Sequence, residues 1–228
     1  MLDKSIPYAG LYMRREPGAP KIATELPEGF RFRCYVDGDE EGWARIEASV
    51  LEFQSQFAAL MYFKEFFIPH KEQLYDRCLF IEKQGGTTER GTTERCSAER
   101  GTTERGTTER GMTERGTTER GTTEGGSIVA TATAWWTDIN GVRRPWLYWV
   151  GVDPEYQGLG LGKAVIARAT DMLAGFYGRT PIFLKTQTWS YKAVGIYRKC
   201  GYVPTDEKAL YRNPRDNYKK AMKILRRI

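Results

Sequence analysis

Forty consecutive residues of this chain have no means of building a hydrophobic core, so the fold has to come from what flanks them. Residues 86–125 are eight pentads, six opening Gly-Thr-Thr-Glu and seven closing on Arg; the two variants are CSAER from Cys96 and GMTER from Gly111. On a helix each pentad advances about 500°, so successive repeats land about 140° apart and no apolar stripe accumulates. On a strand an odd period sends each side chain to the opposite face at every repeat. A solenoid requires a regular inward-pointing apolar residue, and only Cys96, Ala98 and Met112 are even weakly apolar. Such a segment buries too little surface to offset its chain entropy, and it is read as disordered. Its Glu and Arg nearly cancel. An inert insertion is the plainer reading, and a tether or partner-binding arm is the alternative.

The flanks place the insertion. Residues 79–83 (LFIEK) before it and 128–136 (IVATATAWW) after it both read as strands. The repeat therefore sits as an overgrown hairpin loop, where added length costs little. Residues 1–29, rich in Pro and Gly, form an extended lead-in to a single domain over 30–228. Residues 30–35 alternate with period two, as a half-buried strand does. Trp43, Ile46, Val50 and Phe53 recur at helical spacing within 39–53, with Asp37 or Asp39 as cap. A second apolar helix covers 57–67, and Asn140-Gly141 marks a turn. Then come a strongly apolar strand over 145–152, a helix over 161–173, a strand over 182–186, a helix over 190–200 stopped by Gly201, and a weakly patterned last strand over 221–225. Alternating strands and helices in this half point to adjacent parallel strands within a mixed α/β sheet.

Composition removes several kinds of chemistry. His70 is the only histidine of the 228 residues, so a metal site built on several histidines is excluded within one chain. No GxSxG elbow serves a serine triad. Cys34, Cys78, Cys96 and Cys200 are widely spaced without a CxxC, and they read as free thiols of a reducing compartment. No apolar run approaches the ~18 residues of a membrane span, and no secretory leader is visible near Met1. A cytoplasmic protein is expected, without membrane or metal. The net charge of +6 is diffuse. It favours a phosphate-bearing ligand by long-range attraction and is too spread to argue for nucleic acid. An Arg-rich repeat on nucleic acid is also opposed by its equal density of Glu.

The richest local signal is the turn Asp153-Pro154-Glu155-Tyr156-Gln157-Gly158-Leu159-Gly160-Leu161-Gly162-Lys163, between the buried strand and the long helix. Glycines admit a ligand to the backbone, and the first turn of a helix offers free N–H groups at a positive dipole end. Together they suit phosphate. A Walker loop fails at Gln157 and Ala164. A dinucleotide fingerprint fails at Lys163 or at Val165, depending on where it starts. On spacing alone a glycine-rich connection without ligand remains as good a reading as a phosphate site.

Residues 150–162 (VGVDPEYQGLGLG) resemble the acyl-CoA signature of the GNAT N-acetyltransferases, with Gln157, Gly160 and Gly162 at its core positions. Residues 193–202 (AVGIYRKCGY) are similar to the last helix of that family. The resemblance covers 30 to the C-terminus, the repeat excepted. It implies a largely antiparallel sheet with helices on both faces and one parallel pair splayed at the acyl-CoA site. It implies that backbone N–H groups over Gln157, Gly158, Leu159, Gly160, Gly162 and Lys163 hold the pyrophosphate of acetyl-CoA. It further implies that the edge at Val150 and Val152 pairs with the pantetheine arm, that the strand over 182–187 splays away, and that Ser190 stands where many relatives carry a CoA-contacting Asn. A homodimer is compatible with all of this.

The implied reaction is attack of an amine, on a small molecule or a peptide, upon a thioester. Tyr197 matches the family's general-acid tyrosine, whereas its helical spacing with Ala193, Ile196 and Cys200 suits a core residue equally. For the base, Glu47, Glu52 and Asp138 are candidates, alongside proton loss through water. Trp135, Trp136, Trp146, Tyr148 and Trp149 belong to the core or line an acceptor pocket that is apolar or suited to a cation. A non-catalytic acyl-CoA sensor that keeps the glycine turn is the reading from another class.

Overall fold

The computed structural model describes residues 2–23, 25–85 and 126–228; the pentad repeat, read above as disordered, lies outside them. Among these residues seven strands form one sheet: β1 (Gly10–Arg15), β2 (Phe30–Cys34), β3 (Cys78–Lys83), β4 (Ser127–Ile139), β5 (Val142–Val152), β6 (Ile182–Gln187) and β7 (Val203–Thr205). Their spatial order is β2-β3-β4-β5-β6-β1-β7. Every neighbouring pair is antiparallel except β5 with β6. Lys83 of β3 pairs with Ser127 of β4, so the insertion does join two hairpin strands. Asn140 and Gly141, at φ 53° and 75°, form the tight turn between Ile139 and Val142, the left-handed pair that matches the twist of a two-residue hairpin.

Among the described residues six α-helices cover the sheet: α1 (Glu40–Ser49), α2 (Gln56–Phe66), α3 (Lys71–Arg77), α4 (Leu161–Tyr177), α5 (Tyr191–Lys199) and α6 (Tyr218–Leu225). The period-two alternation of β3 explains the layering. Leu79 and Ile81 face one core with Val165, Ala169 and Leu173 of α4, Val194 of α5 and Ala221 of α6. Cys78 and Phe80 face the other, with Trp43 and Ile46 of α1 and Phe63 and Phe67 from α2 and its end. With both faces covered, β4 is buried at nine of its thirteen residues. Ser55 caps α2, its Oγ accepting from the Ala58 amide at 3.1 Å.

Four details depart from the sequence expectations. Gly10–Arg15, inside the segment read as a lead-in, is a strand inserted between β6 and β7; Leu11 and Met13 are fully buried, and Arg15 donates to the carbonyls of Cys200, Ala19 and Pro20. Residues 221–225 are helical, because Asn217 caps a turn by accepting from the Lys220 amide at 2.9 Å and Ala221 enters the core while Lys219 and Lys220 face out. Helix α1 ends at Ser49, short of Phe53. Asp39 sits at its N-cap position but binds Arg33 and the Val36 amide instead of the helix. Cys78 and Cys200 are buried free thiols, whereas Cys34 is disulfide-bonded. No helix among the described residues is long and apolar enough to cross a membrane.

Candidate functional site

Strands β5 and β6 pair only at Trp146 with Phe183 and Leu147 with Leu184. Beyond those two rungs they part, and the cause lies in β5. Its pairing with β4 jumps from Tyr148–Thr133 to Gly151–Thr131, so Trp149 and Val150 oppose the single residue Ala132. Trp149 takes φ 47° to make the bulge. A bulge bends its strand and increases the local twist. A large side chain held in the left-handed region costs about 1–2 kcal/mol, which the aromatic packing of Trp149 on Trp43, Phe53 and Tyr62 offsets. The edge of β5 over residues 150–152 is thereby left facing open space instead of β6.

Two adjoining cavities fill that opening. The inner one, about 220 Å³, is walled by Trp146, Tyr148 and Trp149 of β5, Lys185, Thr186 and Gln187 of β6, and Glu47 and Glu52. The outer one, about 260 Å³, runs along Val150 and Val152 to Gln157, Gly158, Gly162, Ile166 and Ile196. Glu52, Val150, Ser190, Ala193 and Tyr197 belong to both and mark their junction.

The glycine turn closes the outer end. Asp153 accepts from the Glu155 amide at 3.1 Å and pairs with Arg45 of α1, whose guanidinium also reaches the Ile128 carbonyl. The strand end and the first helix are thus fixed to one another. Gly158 and Gly160 adopt φ 86° and 83°, which only glycine reaches without strain, and Gly160 leads directly into α4. Ala164 finds its acceptor at the Gly160 carbonyl, 3.1 Å away. The amides ahead of it form the open first turn, where a helix has no acceptor of its own for them. At Gly162 a Cβ would lie 3.5 Å from Val152 and 3.7 Å from Ile196, two residues of the cavity wall. A single methyl would fit there in ordinary contact, and a larger side chain would reach into the channel.

Of the residues singled out for acyl-CoA, Val150, Val152, Gln157, Gly158, Gly162 and Ser190 line the outer cavity. Leu159, Gly160 and Lys163 lie in the turn but outside that wall, Leu159 being 48% exposed. Gln157 spends its side-chain amide on the Val152 carbonyl at 3.0 Å.

Tyr197 resolves the choice between core and cavity by being in both. Its ring packs edge-on to Tyr202 at 6.2 Å within the main core, while it stands in the walls of both cavities. Burial first, then the carboxylate of Glu52, pushes its phenol well above the usual tyrosine range, so it is protonated throughout the neutral range. Glu52 follows Leu51, which takes φ 68° at the end of α1, and accepts from Gln187 at 3.4 Å. Burial raises its pKa although its side chain reaches solvent. Glu47 is buried in the inner wall. Asp138 is not at this site: it is ion-paired with Arg143 at 3.3 Å and borders another cavity, beyond Trp146 and Tyr148. The aromatic concentration divides likewise. Trp135 is core and stacks on Trp136 at 4.2 Å, whereas Trp146, Tyr148 and Trp149 face the inner cavity. Sequence reasoning had the strand over 182–187 splay away but did not single out Lys185, Thr186 and Gln187, which become wall residues because β6 diverges. No cluster of three or more His, Cys, Asp or Glu is placed to hold a metal among the described residues.

Residues 96–202 match the family model described as acetyltransferase (GNAT) family. Among solved structures, a GCN5-related N-acetyltransferase from Sphaerobacter thermophilus superposes with a TM-score of 0.55 at 18% identity, over 88% of this chain and 49% of that one. An acetyltransferase from the GNAT family of Colwellia psychrerythraea gives 0.51 at 10% identity, over 90% and 55%. The chain spans about half the length of these two structures, and at such identities the likeness is one of fold. No curated protein sequence matches it.

Proposed function

We propose that this chain is an acetyltransferase of the GNAT superfamily and moves an acetyl group from acetyl-CoA to the primary amine of a small molecule or peptide within a ternary complex; the family-model match over 96–202 and the shared fold support the reading. The observation that carries the reading is the unpaired edge of β5 lying between two joined cavities, with a protonated tyrosine at their junction. An extended pantetheine arm along residues 150–152 would satisfy that edge as an added strand does. The open amides from Gly158 into α4 would meet the pyrophosphate, as helix N-termini meet anions. Acetyl-CoA supplies the activated thioester. Val150 and Val152 hold its arm, and the inner cavity holds the amine against it, which converts an encounter of two molecules into a local event. Tyr197, held protonated by burial, gives its proton to the departing thiolate.

Calorimetry with acetyl-CoA, followed by CoA-thiol release with a panel of primary amines, tests the reading. Saturable binding and amine-dependent release are expected. An absence of acetyl-CoA binding would overturn it, and binding without transfer to any amine would leave the sensor reading in its place.

A further inference from the structure

We infer that the Glu47 carboxylate receives the incoming amine and takes its proton, which makes it the general base of the inner cavity. The inference rests on the acetyl-transfer reading above and adds a residue to it. Glu47 sits on α1 with 0% of its surface exposed, and neither carboxylate oxygen has a hydrogen-bond partner among the described residues. A carboxyl taken out of water with nothing to bond is unfavourable for folding, and a structure keeps such a group where something else binds it. What it faces is the site: it lines the inner cavity beside Trp146, Tyr148 and Trp149. It also lies so close to the bulge of β5 that a Cβ on Gly151 would come within 2.9 Å of its Oε1. The absent side chain of Gly151 makes the room that brings the carboxylate to the strand. Aromatic faces and an unpaired carboxylate together are what a cationic amine needs. The two alternatives are already engaged, Glu52 by Gln187 and Asp138 by Arg143.

The step balances. An amine arriving as ammonium hands one proton to Glu47 and becomes nucleophilic. Its nitrogen lone pair forms the C–N bond to the acetyl carbon, and the C–S bond breaks with its electrons leaving on sulfur. Tyr197 protonates that sulfur, and the second nitrogen proton restores the phenol. Glu47 releases its proton to water through the cavity once product leaves. The groups facing Glu47 are Glu52 from the loop after α1, Tyr148 from β5, Tyr197 from α5, Lys185 from β6 and Cys78 from β3. Lys185 is tied to Asp216 at 2.8 Å, and the Cys78 thiol is pushed up to about 12, chiefly by burial. Burial, and then Glu52, hold Glu47 well above the usual carboxyl range, so it acts as base in its ionised fraction, and that ionisation sets the acid limb of the rate.

The test uses the full chain with Glu47→Gln, Glu47→Asp and Glu52→Gln, and two readouts. In the free protein, a protonated-carboxyl infrared band that titrates well above pH 4.5 is expected, and Glu47→Gln should abolish it. In turnover, 2-phenylethylamine, an ammonium at neutral pH, is compared with hydroxylamine, which is already neutral there. Glu47→Gln should lower transfer to the first on the order of 100-fold and to the second less than about tenfold, with the acid limb of the pH profile lost. Glu47→Asp should recover part of the rate together with that limb, and Glu52→Gln, which removes the neighbouring carboxylate, should retain the limb displaced to lower pH. A band unchanged in Glu47→Gln, or a folded Glu47→Gln enzyme with the wild-type pH profile, overturns the assignment. Loss of acetyl-CoA binding in the wild-type protein would instead strike the transferase reading and leave the infrared result standing.

Discussion

Replacing Tyr197 by Phe separates the chemistry of this site from its architecture. The substitution keeps the ring, its edge contact with Tyr202 at 6.2 Å and its place in the main core. It removes one hydroxyl, and no described residue hydrogen bonds to that hydroxyl, so the change leaves no protein group newly unpaired. A net intramolecular hydrogen bond is worth about 1 kcal/mol, and none is lost here; the expected change in stability is under about 0.5 kcal/mol, or no more than a few degrees in Tm. The loss in turnover follows from the phenol's protonation. Burial and the Glu52 carboxylate keep it in its neutral form, the form that donates. Removing a general acid lowers a rate on the order of 10²–10⁴-fold, and the lower bound equals about 2.7 kcal/mol of transition-state stabilisation. Steady-state kcat with saturating acetyl-CoA, read beside calorimetric affinity and thermal unfolding, is the assay. A drop in kcat of at least about 100-fold with acetyl-CoA affinity within about threefold is the expected result. The deficit should shrink with thioester donors whose leaving thiols are more acidic, since these need less protonation. A folded Phe variant with wild-type kcat would refute the reasoning and return Tyr197 to the core alone.

Gly162→Val should weaken acetyl-CoA by at least about tenfold (about 1.4 kcal/mol) because its methyl groups extend from a Cβ already 3.5 Å from Val152; Gly162→Ala, which stops at that contact, should bind nearly normally, and equal calorimetric affinities for Val and wild type would refute the channel. Glu47 holds its proton more tightly folded than unfolded, so its contribution to stability is greatest below the unfolded value of 4.5 and falls as pH rises toward the folded value, by at most about 1.4 kcal/mol per pH unit. Denaturant titrations should therefore show wild type losing stability relative to Glu47→Gln across that window, and parallel curves would contradict it. Deleting 86–125 leaves Gln84, Gly85 and Gly126 to join the paired Lys83 and Ser127, a three-residue loop that a hairpin accommodates. kcat/KM should stay within about tenfold of the full chain, and a larger fall would give the repeat a part in the reaction.

What the sequence disclosed and what it withheld divide along the range of the interactions responsible. The glycine turn was legible because a strand, a run of glycines and a helix start are neighbours in the chain, and their joint use of backbone N–H groups is local physics. Strands β3 and β4 were legible on either side of an unreadable repeat because LFIEK and IVATATAWW are short runs rich in β-branched and aromatic residues. Strand β1 was not, since GLYMRR holds no β-branched residue, lies in a Pro- and Gly-rich segment, and is made a strand by partners, β6 and β7, far along the chain. The weak pattern of 221–225 went to the wrong element because its one fully buried residue, Ala221, suits either period, and the Asn217 cap decides. The bulge at Trp149 leaves no local trace at all, because a left-handed tryptophan is held only by Trp43 of α1, Phe53 of the loop after it and Tyr62 of α2. Glu47 did leave one. On α1 it stands four residues after Trp43, beside Ile46 and three before Val50, inside the apolar stripe instead of opposite it. A carboxylate on the buried face of an amphipathic helix contradicts the pattern around it. Such a contradiction persists where the helix lies against a site, and here it points from α1 through Gly151 to the space where two strands part.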